Sequence, residues 1–118
     1  MSADDTANVI EAYFTAMGSG HFQQFLTDDV TWTTIQSDEE LLGPEAVEAG
    51  IMGLHARMTG VKTRQLSVAD GAAYIEGTCA GQDGSSRIPY CVAYDLAGDR
   101  IAAMRAYGDI AVFMPLPG

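Results

Sequence analysis

Hydrophobic positions follow a helical period in the first half of the chain and a strand period in the second half. Residues 9–17 place apolar side chains at helical spacing and predict a first helix. Ser2 and Asp5, three positions apart, can cap its start. The glycine-rich turn at 18–20 ends this helix, and the apolar residues after it predict a short second helix over 21–26.

A strand and a third helix follow. Residues 30–35 form a β-branched and aromatic run typical of a strand, and the polar residues 36–40 are predicted to form a loop. Pro44 suits the first turn of a helix, and an apolar stripe continues from there at helical spacing to Met58.

After Gly60 the pattern is that of strands throughout. Four strands are predicted, over residues 61–69, 72–81, 87–96 and 100–110. Asp83-Gly84 is a hairpin signal, because both positions of a two-residue turn favour positive φ. That turn places three cross-strand pairs on one face of the sheet: Cys79 with Ile88, Gly77 with Tyr90, and Ile75 with Val92.

Helices followed by a meander of strands predict an α+β fold. Three N-terminal helices would pack on the concave face of a curved antiparallel sheet and leave a cavity between the two layers. Gly77, Gly81 and Gly108 fit such bending. No linker or repeat divides the chain, so residues 1–118 are predicted to form a single domain.

Composition and charge narrow the classes of function. Hydrophobic residues make up 47% of the 118 residues, which is ordinary for a globular protein. The 16 acidic residues against 6 basic ones give a net charge of -10, which disfavours binding to nucleic acid or to a membrane surface. No signal peptide or membrane span is visible, so a cytoplasmic protein is expected. The two cysteines lack metal-site spacing, and neither a metal nor a cofactor is expected.

Motif order along nearly the whole chain resembles the nuclear-transport-factor-2-like superfamily, especially its SnoaL-like and limonene-epoxide-hydrolase-like branches. Three sets of residues carry the resemblance: 12–17 with 19–21, 26–32, and 43–58 with 95–101 and 105–109. The resemblance implies a cone-shaped sheet around a pocket, and it implies homodimers formed through the outer face of the sheet. The same fold serves isomerases, hydrolases, cyclases, dehydratases and non-catalytic binders, so it does not determine the function.

The resemblance also allows the known catalytic groups to be compared position by position. Tyr13 matches the tyrosine with which ketosteroid isomerases stabilise an oxyanion, and Tyr90 falls near their second donor. Thr34 stands where those enzymes carry an aspartate base, and a threonine hydroxyl does not abstract a carbon-bound proton unaided. The Asp-Arg-Asp set of the epoxide hydrolases is also absent, since its positions match Gly77, Cys79 and Ala106.

Tyr13, Tyr90 and Asp109 are therefore the candidate catalytic residues. Asp109 faces the pocket only if a bulge at 97–99 shifts the last strand so that Arg105, Tyr107 and Asp109 point inward; otherwise Met104, Ala106 and Gly108 do. The expected substrate-binding wall comprises Phe14, Trp32, Thr34, Ile51, Leu54, Met58, Cys79, Ile88, Val92, Met104 and Phe113.

Two further side chains are interpreted structurally. His55 lies at the edge of the inward stripe of the third helix and is taken as a surface or interface histidine. Cys79 is taken as a small buried hydrophobe, because no basic neighbour is visible that would lower its pKa.

Two kinds of function follow, and the sequence leaves both open. One is a cofactor-independent isomerase, cyclase or dehydratase acting on an apolar oxygenated metabolite, with the tyrosines polarising an oxygen and Asp109 moving a proton. The other is a non-catalytic protein, which either binds a small apolar ligand or serves as a homodimeric association module, and the missing carboxylates favour it.

Overall fold

Two helices and six strands account for most of the residues that the structure describes. The computed structural model describes residues 2–81 and 87–109. In chain order the elements are α1 (Ala3–Met17), β1 (Leu26–Thr34), β2 (Glu39–Leu42), α2 (Pro44–Arg57), β3 (Met58–Ala69), β4 (Ala72–Gly81), β5 (Ile88–Ala97) and β6 (Arg100–Gly108).

The first helix starts at the capping signal that the sequence provides. The Ser2 hydroxyl accepts a hydrogen bond from the Asp5 backbone N–H at 3.1 Å, and the Asp5 carboxylate accepts one from the Ser2 N–H at 3.2 Å. Two of the backbone donors at the helix start are satisfied in this reciprocal way. The predicted start of the first helix is confirmed.

The predicted second helix is wrong. Residues 21–26 hold a single 3₁₀ turn, Gln23–Phe25, and Leu26 is already extended because it pairs with Ile101 in the sheet. The described residues therefore contain two α-helices rather than the three expected.

The six strands form one curved, unclosed sheet in the order β2-β1-β6-β5-β4-β3. Neighbours are antiparallel except β1 and β6, which run parallel, so the expectation of a wholly antiparallel sheet is wrong at this pair. A parallel pair needs a long crossover connection, and the segment between β1 and β6 supplies one, since it includes α2 and the β3–β5 meander.

Both ends of β1 differ from the sequence prediction. The strand was predicted over residues 30–35, but β1 begins at Leu26 and ends at Thr34. Asp28 and Asp29 are exposed within it, where the register with β6 shifts. The segment 36–40 was predicted as a loop, yet its last two residues open the edge strand Glu39–Leu42.

Side chains from both helices and from one face of the sheet form the core. The fully buried members include Ile10 and Tyr13 of α1, Val47 and Ile51 of α2, and Met104 of β6. In the described part of the chain, neither helix combines the length and hydrophobicity that a membrane crossing requires.

Candidate functional site

A cavity of about 280 Å³ lies between the helices and the sheet. Nine of the residues predicted to form the site lie in its wall: Tyr13, Phe14, Trp32, Ile51, Leu54, Met58, Cys79, Tyr90 and Val92. Six wall residues were not in the predicted set: Met17, His55, Val61, Thr63, Ile75 and Tyr94. Met17 and Tyr94 continue the helical and strand periods of predicted members, so periodicity could have found them, whereas nothing in the sequence singled out Val61 or Thr63.

The wall formed by β4 and β5 follows from their register. The structure pairs Cys79 with Ile88, Gly77 with Tyr90, and Ile75 with Val92, as the sequence predicts. The turn residues Asp83 and Gly84, from which that register was predicted, lie outside the described residues.

Tyr13 contributes its ring to the cavity while its hydroxyl is already engaged. The hydroxyl donates to the sulfur of Met104, on β6, at 3.7 Å. Phe22 packs edge-on against the same ring, with a centroid distance of 5.3 Å. Burial raises the pKa of Tyr13, so its phenol stays protonated at neutral pH.

Tyr90 enters the cavity over a residue without a side chain. A β-carbon at Gly77 would lie 3.1 Å from the Tyr90 hydroxyl oxygen, so the glycine makes room for the phenol. Burial, together with the nearby Cys79 thiol, raises the pKa of Tyr90.

Tyr94 stands two residues beyond Val92 on the same face of β5. Its side chain is 4% exposed, and the described residues supply no hydrogen-bond partner to its hydroxyl. Burial raises the pKa of Tyr94 well above its ordinary value, and the neighbouring Tyr13 and Tyr90 phenols raise it further. Its hydroxyl is therefore a neutral donor.

Thr34 lies behind the wall and fixes the indole of Trp32. The indole Nε1 donates to the Thr34 hydroxyl oxygen at 3.1 Å, and both side chains are buried. Thr34 itself does not line the cavity, so this predicted binding residue acts through Trp32.

His55 and Cys79 are the other ionisable groups of the described wall. His55 is exposed as a whole residue, as expected for a surface histidine, but its side chain also lines the cavity and is partly buried there. Burial lowers the pKa of His55, which keeps its imidazole neutral at pH 7. Burial raises the pKa of Cys79, and the Arg87 guanidinium, a basic neighbour that the sequence did not reveal, opposes this only in part.

Asp109 does not belong to the cavity wall. Its carboxylate is exposed and accepts a hydrogen bond from the Gln36 side-chain amide at 2.8 Å. Met104 and Ala106 are fully buried, while Arg105 pairs with Asp95 at 2.6 Å. The shifted register that would turn Asp109 inward is therefore wrong, although the β5–β6 pairing does contain an irregularity after Asp95.

The remaining predicted wall residues lie elsewhere. Met104 is fully buried and accepts the hydrogen bond of Tyr13, and Ile88 packs against the core without reaching the cavity. Phe113 lies outside the described residues.

The described wall carries no Asp, Glu, Lys or Arg side chain. It offers aromatic and aliphatic surface, three phenols, a threonine hydroxyl, a thiol and one imidazole. Nor does the described part of the chain bring three His, Cys, Asp or Glu side chains together in a way that could hold a metal ion. Such a wall can desolvate an apolar molecule and donate hydrogen bonds to it.

Comparison of the sequence with protein-family models and with curated proteins finds no match. Solved structures do match over most of the chain. A nuclear-transport-factor-2-like protein from Burkholderia xenovorans is 14% identical with a TM-score of 0.76, and the match covers 96% of this chain and 95% of that one. This chain has the nuclear-transport-factor-2-like fold.

Two enzymes with this fold are also similar. A steroid delta-isomerase from Pseudomonas aeruginosa has a TM-score of 0.76 at 10% identity, covering 88% of this chain and 79% of that one. A LEH-like epoxide hydrolase from M. tuberculosis has a TM-score of 0.69 at 19% identity, covering 92% and 85%. At these identities the likeness establishes the fold, and the chemistry must be argued from the residues of this chain.

Proposed function

We propose that this protein binds a small apolar molecule in the cavity between its helices and its sheet. The observation that carries the proposal is the wall itself, which is concave, mostly apolar and aromatic, and supplied with a few hydrogen-bonding groups. These are the usual properties of a small-molecule site. A core selected only for stability would be filled to the density of a crystal rather than left open.

The cavity volume limits the size of the ligand. About 280 Å³ lies near the lower end of the range of roughly 300–1,000 Å³ for small-molecule sites. A cavity of this size suits a small skeleton of one or two rings.

The single tryptophan provides a direct test. Trp32 is the only tryptophan of the chain and lies in the wall, so a ligand in the cavity changes its fluorescence. We expect 4-tert-butylcyclohexanone and its hydrocarbon analogue 1-tert-butyl-4-methylenecyclohexane to shift the Trp32 emission and to give saturable heats in titration calorimetry.

The two cysteines provide a matched pair of variants for this test. Cys79→Leu adds volume inside the cavity and should weaken binding, whereas Cys91→Leu adds the same volume on β5, outside the described wall, and should not. The melting temperatures of both variants establish that each is folded. Equal binding by both variants, or no binding of either probe to the wild type, would contradict the proposal.

Proton transfer is a second candidate function, favoured by the position of His55. Within the described wall it is the one side chain whose ordinary pKa lies near neutrality, and burial keeps it in the neutral, basic form. A neutral imidazole can take a proton from the carbon beside a carbonyl group, while a tyrosine hydroxyl stabilises the enolate oxygen. In deuterated water the imidazole then returns a deuteron to that carbon.

This candidate is tested with the same ketone. We expect the α-protons of 4-tert-butylcyclohexanone to exchange for deuterium faster with the wild-type protein than with His55→Gln, as followed by NMR. If the wild-type protein binds the ketone but its α-protons exchange no faster than in buffer, proton transfer is contradicted and binding remains as the proposed function. Homodimerisation through the outer face of the sheet stays a separate prediction.

A further inference from the structure

Tyr94 differs from Tyr13 and Trp32, the other large buried polar side chains of the wall, in the hydrogen bonding of its polar atom. The Tyr13 hydroxyl donates to Met104, and the indole of Trp32 donates to Thr34. Within the described residues, the Tyr94 hydroxyl makes no hydrogen bond, although its side chain is 4% exposed.

The Tyr94 hydroxyl is not fully enclosed by protein atoms. Among the described residues, no fully enclosed side-chain oxygen or nitrogen lacks a hydrogen-bond partner. The Tyr94 hydroxyl therefore borders open space, and the cavity is the open space that this side chain lines. A donor held there without a protein partner is costly unless water or a ligand satisfies it.

The ring of Tyr94 is held in place by aromatic contacts. It packs edge-on against Tyr13 and against Phe14, with both centroid distances at 6.1 Å and interplanar angles of 66° and 76°. Because both partners lie on α1, the helix and the sheet together fix the direction of the hydroxyl. A preorganised donor gains more from a ligand acceptor than a mobile one, since little rotamer freedom is lost on binding.

The charge of the described wall limits which classes of ligand can bind in the cavity. An anion would be desolvated in a described wall without Lys or Arg, in a chain of net charge -10. An ammonium group would find aromatic faces but no carboxylate in that wall. A neutral molecule meets neither penalty.

We infer that the Tyr94 hydroxyl is the hydrogen-bond donor that anchors the ligand, and that the ligand is a neutral molecule with an oxygen acceptor, such as a ketone, aldehyde, epoxide or ether. This inference rests on the proposed function, because it names the ligand class of the same cavity. It assigns the anchor to β5 rather than to Tyr13, whose hydroxyl is already bonded to Met104.

The test uses four probes of one shape. They are 4-tert-butylcyclohexanone, 1-tert-butyl-4-methylenecyclohexane, 4-tert-butylcyclohexanecarboxylate and protonated 4-tert-butylcyclohexylamine. With the wild type we expect the ketone to bind more tightly than the hydrocarbon, and both to bind more tightly than either ion.

Substitution then locates the anchor. Tyr94→Phe should weaken ketone binding by about three- to tenfold, the usual value of one neutral hydrogen bond, and leave hydrocarbon binding unchanged. Tyr13→Phe should weaken ketone binding less than Tyr94→Phe does, because the Tyr13 hydroxyl is already bonded to Met104. The control is the exposed Tyr74→Phe on β4, which should change neither affinity by more than about twofold.

These measurements distinguish a failure of the Tyr94 anchor from a failure of the proposed small-molecule binding. Binding of the hydrocarbon without any preference for the ketone, or an equal loss of both probes in Tyr94→Phe, overturns the anchor and keeps the proposed function. Preference for the ammonium or the carboxylate overturns the ligand class. Absence of binding by every probe overturns the proposed function and the anchor together.

Discussion

Gly77 and Tyr90 face each other across β4 and β5, and the phenol occupies the space that a side chain at position 77 would need. A β-carbon there would also collide with the Lys62 backbone carbonyl of β3, which cannot move without distorting the sheet. One glycine thus lets three strands approach while the cavity keeps a phenol.

We expect Gly77→Ala to lower the free energy of unfolding by about 3 kcal/mol, the upper part of the range for overpacking. Chemical denaturation measures this change. Gly18→Ala is the matched control, because its backbone has a φ of -61° and its β-carbon would approach nothing closer than 3.3 Å. A loss in Gly77→Ala no larger than in Gly18→Ala would show that β3 adapts.

Thr34→Val should destabilise the protein by about 2 kcal/mol, because the shape is kept while the buried Trp32 indole N–H loses its acceptor. The Trp32 emission should also change as the indole reorients. Thr33→Val, on the other face of the same strand, serves as the control and should cost much less. Equal destabilisation of the two variants would mean that the hydrogen bond contributes nothing beyond strand propensity.

Tyr94→Phe should keep or raise the stability of the ligand-free protein, by up to about 1 kcal/mol, since it removes a buried hydroxyl that has no hydrogen-bond partner in the described residues. Such a gain accompanied by weaker ligand binding is the pattern of a residue kept for function. Thermal denaturation without ligand measures it. A clear loss of stability would instead assign the hydroxyl a structural role.

The stability contributed by His55 should fall as the pH is lowered. Burial places its folded-state pKa below the ordinary value of 6.5, so between the two values the unfolded chain binds more protons than the folded one. The contribution is complete above pH 6.5 and is lost as the pH falls towards the folded pKa. Between pH 7.5 and pH 5, the unfolding free energy of the wild type should fall relative to that of His55→Gln. A constant difference would contradict the burial of the imidazole.

Sequence periodicity predicted the parts of the fold in which one side of an element is buried. The stripe of α1 was found because helical spacing gathers its apolar side chains on one face. The Gly77–Tyr90 register was found from the two-residue turn at 83–84. The edge strand Glu39–Leu42 was missed because its polar residues face solvent and its position depends on pairing with β1. Local pattern carries no information about such pairing.

The candidate site was predicted less completely, for a related reason. Alternation places Tyr90 and Val92 on the inner face but says nothing about which hydroxyl groups find partners. Tyr13 and Tyr94 are both buried tyrosines, and only the position of Met104 distinguishes an engaged phenol from an unengaged one. Resemblance drew attention to Asp109, whose carboxylate meets Gln36 outside the cavity.

The parallel pairing of β1 with β6 has a consequence for the order in which the protein folds. The meander from β3 to β6 joins neighbours in sequence, whereas β1 meets β6 only across most of the chain, with Trp32 opposite Met104. Contacts of such long separation incur a larger loop-closure entropy before they stabilise anything, and they form slowly. We therefore expect burial of the only tryptophan to follow formation of the meander. Its fluorescence would then report the last, rate-limiting addition of β1 to the meander.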